Sequence, residues 1–295
     1  MPAVARIGRR IATRVNSTAA AASSLHPLSA YESNGYAVPD VRLPQNELER
    51  AREAVDRTLK LNSHLQPEQL VNAHLEQTGD CPADTVRGSS ELLRIACHPA
   101  ISDVAAHCLG TSDVILWACQ LFAKPAREGR AVPWHQDGVY WPIEPLRACT
   151  VWLAVDQSTR ANGGLQVIPG SHTRQLGHDT IDERAYGDSA IRVAILPETL
   201  GPEMLSRAEA IELEPGQISV HDAMLVHGSE ANRSASRRAG LAISFMSAHC
   251  HFRRGMRTFA DREGGLNLDF SRRPLVLVRG QNRHPGNDQF MPAPS

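Results

Sequence analysis

The residues best suited to do chemistry in this chain are a histidine and an aspartate two positions apart. His135 and Asp137 lie in the stretch VPWHQDGVYW, which reads as an extended segment. Alternate residues of an extended chain point to the same side, so one imidazole and one carboxylate can bind a metal ion side by side. A third ligand must come from elsewhere. His227 offers it, at the end of an apolar run and before a Gly-Ser turn.

Two histidines and one carboxylate leave coordination positions open on the metal, the arrangement used by non-haem iron(II) oxygenases. An H-x-D pattern alone is weak evidence, because the chain has 13 histidines. Arg238, eleven residues after His227, strengthens it, since a buried guanidinium can hold a dicarboxylate bidentately. Arg237 is an alternative clamp. The adjacent His221 and Asp222 face opposite ways on a strand, which favours support of the ligands or strand termination over ligation.

The elements that must position these residues are short strands that follow several helices. Helices are predicted over 45–61, with Asn46 as the N-cap, and over 89–97 and 100–109. Short β-branched and apolar runs separated by Gly and Pro turns predict strands, and these cover 113–124, 147–156, 164–169, 210–213, 217–222 and 240–248. The pattern predicts a mainly β protein with flanking helices (α+β), built as an antiparallel barrel or sandwich.

Four motifs together resemble the phytanoyl-CoA dioxygenase family. They are WHQDGVYW, TVWLAVD, NGGLQVIPGSH and HDAMLVHGSEANRS, and the similarity covers roughly 114–248. The resemblance implies a double-stranded β-helix (jelly-roll, cupin-like) core. It also implies an enzyme that binds iron(II) and consumes 2-oxoglutarate and dioxygen.

Carried over by position, the resemblance assigns roles to individual residues. The metal ligands that it implies are His135, Asp137 and His227. The residues that it implies around 2-oxoglutarate are Arg238, Ser229, Gln120 and Trp152. No catalytic residue beyond the metal centre is implied. Trp152 could equally be a core aromatic residue, and Lys124 is predicted to be an ordinary surface lysine.

The implied reaction is hydroxylation of an unactivated C–H bond, with succinate and CO2 as products; desaturation, epoxidation and cyclisation would use the same residues. Trp134, Tyr140 and Trp141 flank the metal motif and are candidates for the substrate pocket. Arginines in 173–210 are offset by acids, which favours a small substrate over a CoA thioester. Alternatives are a phytanoyl-CoA-type acyl-CoA 2-hydroxylase, a non-catalytic jelly-roll binding protein and a metallohydrolase of unrelated fold. Halogenation is disfavoured because Asp137 occupies the position that a halide would need.

Composition also indicates how the chain is divided and which functions are excluded. Residues 1–27 are rich in Arg, Ser and Ala and lack acidic residues, which predicts a disordered segment. The protein is expected in the cytoplasm by default, and the alternative is that this segment is a mitochondrial targeting peptide. Residues 28–270 are predicted as one oxygenase domain, with 173–210 as a lid or insertion and 271–295 as a polar tail. A formal net charge of −1 argues against general nucleic-acid binding, and no apolar run could span a bilayer. The scattered cysteines predict reduced thiols rather than disulfides or a zinc site.

Overall fold

The fold was obtained as a computed structural model that describes residues 29–77, 82, 85–180, 193–256 and 269–294. The predicted N-terminal segment 1–27 lies outside this range. The helices in this range are α1 (Tyr31–Asn34), α2 (Gln45–Leu61), α3 (Ser90–Ala96), α4 (Pro99–Cys108) and α5 (Pro197–Leu205). The strands are β1 (Tyr36–Ala37), β2 (Val114–Lys124), β3 (Val132–His135), β4 (Ile143–Glu144), β5 (Ala148–Ala154), β6 (Gln166–Val167), β7 (His178–Thr180), β8 (Val193–Ile195), β9 (Glu209–Ala210), β10 (Ile218–Asp222), β11 (His227–Ser229), β12 (Arg238–Ser247), β13 (His251–Phe252), β14 (Leu275–Arg279) and β15 (Phe290–Met291).

Two sheets form the jelly-roll core. The larger has the strand order β1-β10-β5-β12-β2-β14-β15, and the smaller has the order β3-β11-β6-β9. All pairs in these sheets are antiparallel except β14 with β15. Neighbours such as β5 and β10 are distant in sequence, as expected of a fold whose strands alternate between two sheets.

The two faces of the large sheet have different surroundings. One face carries apolar residues such as Leu121, Val151 and Ile243, and it packs against the buried faces of the helices in one core cluster. The alternate residues of the same strands point the other way, because side chains alternate across a strand. That second face is polar and aromatic, and it faces the small sheet. The helices therefore stabilise the outside of the sheet and leave its inner face free for a site.

The predicted helices and most predicted strands are present, with shifted ends. The helix predicted from 45 to 61 begins at Gln45 with Pro44 at the cap position, so the predicted Asn46 N-cap is wrong. The helix predicted over 89–97 begins after Ser89, whose side chain accepts a hydrogen bond from the backbone N–H of Glu91. Strand β12 begins at Arg238, two residues before its predicted start, because pairing with β2 extends it to Lys124.

Residues 271–295 differ from the predicted polar tail. Leu275 and Val276 are fully buried, and strand β14 pairs with β2 at the edge of the large sheet. Pairing with β2 gives the backbone of β14 its hydrogen-bond partners, and the polar sequence around β14 does not indicate this pairing. Strand β14 is therefore part of the core, whereas most of the described residues after it are exposed.

The described part of segment 173–210 covers one side of the small sheet. Strands β7 and β8 form an antiparallel pair, and α5 follows. Leu176, Ile195 and Leu200 pack against Ile168 and Val226 in a separate cluster. The role of this segment as a lid stays a prediction. Among the described residues, no helix combines the length and apolar character needed to cross a membrane.

Candidate metal centre and co-substrate cavity

Three ligand groups converge between the two sheets. His135 ends β3, Asp137 begins the following turn, and His227 begins β11, where it pairs directly with His135. The His135 Nε2 atom lies 3.5 Å from Asp137 Oδ1, and the His227 Nε2 atom lies 3.8 Å from Asp137 Oδ2. One ligand atom from each residue falls within 4.8 Å of the others. This spacing can hold one metal ion.

Backbone hydrogen bonds orient both imidazoles. The Nδ1 of His135 lies 2.8 Å from the carbonyl oxygen of Pro133, and the Nδ1 of His227 lies 2.9 Å from that of Leu225. Donation from Nδ1 assigns the proton to that nitrogen and leaves Nε2 with its lone pair toward Asp137. Such outer partners fix the tautomer and the ring direction of metal-binding histidines. The two histidines are therefore arranged for ligation before any metal binds.

The electrostatics of His227 and Asp137 favour metal-binding protonation states. Burial and the neighbouring His135 lower the pKa of His227 well below its ordinary value, which keeps the imidazole neutral. Burial alone would raise the pKa of Asp137, but the contacts with His135 and His227 outweigh it and lower the pKa. The hydroxyl of Tyr140 also donates to Asp137 Oδ1 at 2.8 Å. A neutral imidazole and an ionised carboxylate are the forms that bind a metal.

A third histidine, His221, stands beside this group. Its Nε2 lies 4.0 Å from Asp137 Oδ2, and its ring centroid lies 4.6 Å from that of His227. Neither ring nitrogen has a hydrogen-bond partner among the described residues. Asp222 points the opposite way, toward the hydroxyl of Tyr31, as the alternation of a strand requires. His221 thus lies beside the centre without belonging to the three-ligand group.

One cavity of about 440 Å³ opens onto the metal group from the inner face of the large sheet. This size is within the range of small-molecule sites, roughly 300–1,000 Å³. The residues predicted around the co-substrate all line it: Gln120, Trp152, Ser229 and Arg238. A single cavity therefore joins the metal group to the predicted co-substrate residues.

Two basic side chains mark one end of this cavity: Arg238 lines it, and Lys124 lies directly behind. Arg238 and Lys124 are cross-strand partners at the ends of β12 and β2. Arg238 is 2% exposed, donates to the carbonyl oxygen of Gly163 at 2.5 Å, and stacks 5.2 Å from the Trp152 ring. Its Nε has no partner in the described part of the chain. A guanidinium with donors to spare is suited to a carboxylate. Arg237, the alternative clamp, instead pairs with Asp156 on the outside.

The prediction that Lys124 is a surface residue is wrong. Its side chain is fully buried, and its Nζ donates to Ser229 Oγ at 2.6 Å and to the carbonyl oxygen of Glu230. Burial and the charge of Arg238 lower the pKa of Lys124 to about 6. The alternation of Gln120, Phe122 and Lys124 along β2 was the sequence signal that could have placed it on the inner face.

Glycines allow this end of the cavity to close. Gly240 lies on β12 opposite Phe122 and Ala154, and a Cβ there would fall 2.3 Å from the Trp152 ring. Without that Cβ the Trp152 indole can pack flat against β12. Gly163 adopts a positive φ of 76°, where glycine is favoured, and it presents its carbonyl oxygen to Arg238.

The predicted substrate residues divide into two sets. Tyr140 and Trp141 line the cavity, whereas Trp134 does not, and the prediction for Trp134 is corrected. Trp134 packs against the Ile168 and Val226 cluster, because its neighbour His135 takes the opposite, inner side of β3. Gln136 is fully buried, and its amide donates to the carbonyl oxygens of Arg174 and Met224.

Sequence reasoning did not single out several other residues of the cavity wall. Thr150 and Ser244, 3.3 Å apart, lie in one cross-strand row with His221. The inner-face alternation of β5 and β12 could have indicated this row. The wall is completed by residues from other parts of the chain, among them Trp117, Arg130, Phe270 and Arg273. Arg130 is paired with Glu68 at 3.2 Å.

Comparison with known proteins gives the family. Residues 31–240 match the model of the phytanoyl-CoA dioxygenase (PhyH) family. The chain belongs to this family. The match covers more than half of the chain and includes every residue of the metal group and of the predicted co-substrate end.

Individual relatives agree with this assignment. A probable phytanoyl-CoA dioxygenase of Caenorhabditis elegans is 26% identical over 75% of this chain and 72% of its own length. A probable alpha-ketoglutarate-dependent hypophosphite dioxygenase of Stutzerimonas stutzeri is 28% identical over 61% of this chain and 60% of its own length. The solved structure of ThoJ, a non-heme monooxygenase, superposes with a TM-score of 0.64 and 26% identity, covering 90% of this chain and 86% of that one.

Family, fold and chemistry together define the class. The chain is a non-haem iron(II)- and 2-oxoglutarate-dependent dioxygenase with a jelly-roll fold. The predicted family, enzyme class and cofactors are confirmed. The acyl-CoA and non-catalytic alternatives are not favoured.

Proposed function

We propose that His135, Asp137 and His227 hold iron(II), and that Arg238 and Ser229 hold the distal carboxylate of 2-oxoglutarate. The enzyme then oxidises an unactivated C–H bond of a small organic molecule, by default to an alcohol. The observation that carries this proposal is the single cavity that joins the three-ligand group to the buried Arg238.

The donor set fits the metal. Two imidazole nitrogens and one carboxylate, with open positions on one side, suit a non-haem ferrous ion. Both Nε2 atoms point toward Asp137, because each Nδ1 is occupied by a backbone carbonyl oxygen. The Tyr140 hydroxyl on Asp137 Oδ1 directs the other carboxylate oxygen toward His227. The three side chains thus leave the cavity side of the centre open to exchangeable ligands.

The co-substrate end fits a dicarboxylate. The Nε of Arg238 has no partner among the residues that the structure describes, and Ser229 places its hydroxyl one residue beyond Gly228 on strand β11, which carries His227. Trp152 covers the guanidinium and keeps water from competing for its donors. Gln120, whose side-chain carbonyl accepts from Gln69 at 3.3 Å, forms part of the adjacent wall. When bound together, iron(II), 2-oxoglutarate and dioxygen supply the oxidising power and yield succinate and CO2.

The rest of the cavity supports a small substrate. Trp117 and Trp141 make an edge-to-face contact with centroids 4.8 Å apart and form an apolar wall beside Tyr140. Arg130, a charged residue of this wall, is neutralised by Glu68 and cannot serve as a free phosphate site. A CoA thioester would need several phosphate-binding cations at the mouth. The apolar wall and the pairing of Arg130 with Glu68 instead favour a compact molecule.

Anaerobic titration with iron(II) and 2-oxoglutarate tests the proposal. We expect a weak visible charge-transfer band that forms only when the metal-free protein receives both components. In air, the same mixture should release succinate, and a true substrate should accelerate that release. Tight iron binding without any band would overturn the co-substrate assignment and revive the binding-protein alternative.

Lys124 predicts a pH dependence of co-substrate binding. Its pKa of about 6 means that the amine is mostly neutral in the ligand-free protein at neutral pH. A carboxylate held by Ser229 and Arg238 would raise that pKa again, so binding should take up a proton. Affinity for 2-oxoglutarate should then fall as pH rises above about 6, by at most about tenfold per pH unit.

Calorimetry can measure this proton uptake. The binding enthalpy of 2-oxoglutarate should differ between two buffers of different ionisation enthalpy at the same neutral pH. Lys124→Met should remove the difference, whereas substitution of the exposed Lys60 should leave it unchanged. An identical buffer dependence in Lys124→Met would assign the proton to another group.

A further inference from the structure

An arginine from the C-terminal part of the chain reaches the cavity at the end away from Arg238. Arg273 lies three residues after Phe270, just before β14, and lines the cavity together with Phe270 and Trp117. Its guanidinium carbon lies 5.9 Å from the Trp117 ring centroid and 5.6 Å from that of Phe270. The side chain is thus held between two aromatic rings and open to the cavity.

Arg273 has no acidic partner in the described part of the chain. Neighbouring arginines form ion pairs with the nearby carboxylates, as Arg254 does with Asp288. Burial and the positive charge of Arg254, not a carboxylate, act on Arg273 and lower its pKa to about 10. Arginine remains charged at that value, and an uncompensated guanidinium inside a protein is costly. Such a charge in a ligand cavity is a site for an anion.

The position of Arg273 separates it from the co-substrate end. Trp117 stands seven residues from Lys124 on β2, which is roughly 23 Å of extended strand. Ser244, which pairs with Ala118 next to Trp117, stands six residues from Arg238 on β12. A 2-oxoglutarate molecule bound at Arg238 and the metal group therefore cannot also satisfy Arg273. An anion bound by Arg273 would therefore be a different molecule from 2-oxoglutarate.

Charge balance inside the loaded cavity leads to the same conclusion. The two positive charges of a ferrous ion and the charge of Arg238 would be offset by Asp137 and the dianionic co-substrate. Arg130 is offset by Glu68. Away from the end of the cavity that holds Arg238 and Lys124, one positive charge remains among the described wall residues, on Arg273. A single negative charge on the substrate would complete the balance.

We infer that the substrate is a monocarboxylic acid whose carboxylate binds Arg273 while its apolar body packs between Trp117, Trp141 and Phe270. This inference rests on the proposed function and adds the substrate class to it. Trp117 on β2 and His221 on β10 are three strand spacings apart, roughly 14 Å. The carboxylate and the oxidised carbon are therefore separated by no more than a short chain or one or two rings.

Matched acids and amides test this inference directly. The protein is loaded anaerobically with iron(II) and saturating 2-oxoglutarate, so that the Arg238 end is filled. It is then titrated with 3-phenylpropanoate, cyclohexanecarboxylate and octanoate, and with the primary amide of each acid. Binding is read from tryptophan fluorescence and calorimetry rather than from turnover. We expect at least one acid to bind about tenfold or more tightly than its amide.

Variants identify the responsible arginine. Arg273→Met should abolish the preference for the acid, while Arg272→Met, at the exposed neighbouring position, should retain it. Arg273→Lys should retain part of it, which guards against a general folding effect. The inference is overturned if no acid binds better than its amide in the unmodified protein, or if the preference survives Arg273→Met. Failure of the proposed function would appear earlier, as the absence of the charge-transfer band before any acid is added.

Discussion

Asp137→Ala is expected to abolish tight iron(II) binding and, with it, 2-oxoglutarate turnover. The carboxylate is the one anionic member of the three-ligand group, and its two oxygens face His135 and His227. Removal of a residue that hydrogen-bonds to a metal ligand already lowers metal affinity by about 10- to 100-fold. Loss of the charged ligand itself should cost at least about 100-fold. Anaerobic equilibrium dialysis with iron(II) measures the effect.

His221→Ala is the informative comparison for this first prediction. His221 lies 4.0 Å from the same carboxylate but stands outside the three-ligand group. Its removal should leave iron affinity within a few fold of that of the unmodified protein. If Asp137→Ala retained full affinity while His221→Ala lost it, the metal would lie on the β10 side of the cavity and the ligand set would have to be redrawn.

Arg238→Met should weaken 2-oxoglutarate binding by at least about 100-fold while iron binding stays unchanged. A hydrogen bond to a charged partner contributes roughly 1.5–3 kcal/mol, and two such bonds from one guanidinium account for this factor. The methionine stem can still pack against Trp152, so the wall of the cavity is retained. Arg238→Lys should recover part of the affinity, because an ammonium restores the charge but not the bidentate geometry. Titration of the visible band gives both constants.

Arg237→Met provides the matched control for the second prediction. Its side chain is the neighbouring arginine but points outward to Asp156 and Asp56. Its loss should leave 2-oxoglutarate affinity unchanged and lower the free energy of unfolding by about 1 kcal/mol, since both of its ion pairs are partly exposed and screened by solvent. A large loss of co-substrate affinity in this variant, and none in Arg238→Met, would reverse the assignment of the clamp.

The metal group was predictable from the sequence because its geometry is local. His135 and Asp137 are two positions apart on an extended segment, and that spacing alone places both on one side. His227 required an apolar run that ends at a turn, and Arg238 required the next strand to follow at once. Each inference used one strand and its periodicity. The family motifs added the identity of the metal and the co-substrate.

The tertiary structure decided which residues of distant elements share the cavity. Lys124 was predicted at the surface because a lone lysine is usually solvated, yet pairing of β2 with β12 buries it against Ser229. Trp134 was predicted in the pocket because it adjoins His135, yet it packs against the cluster that contains Ile168 and Val226. In both cases the alternation of the strand was visible in the sequence. The sequence did not show which other elements each face of the strand would contact.

Arg273 shows most directly what could not be predicted from the sequence. Its surroundings in sequence are polar and predicted a tail, whereas β14 pairs with β2 and brings the arginine over Trp117. Periodicity and turn residues act over a few neighbours, so the sequence by itself determined most of the central strands and the shared side of His135 and Asp137. Contacts between residues more than a hundred positions apart depend on how the sheets close upon each other. That closure, driven by burial of the shared core, was decided only by the tertiary structure.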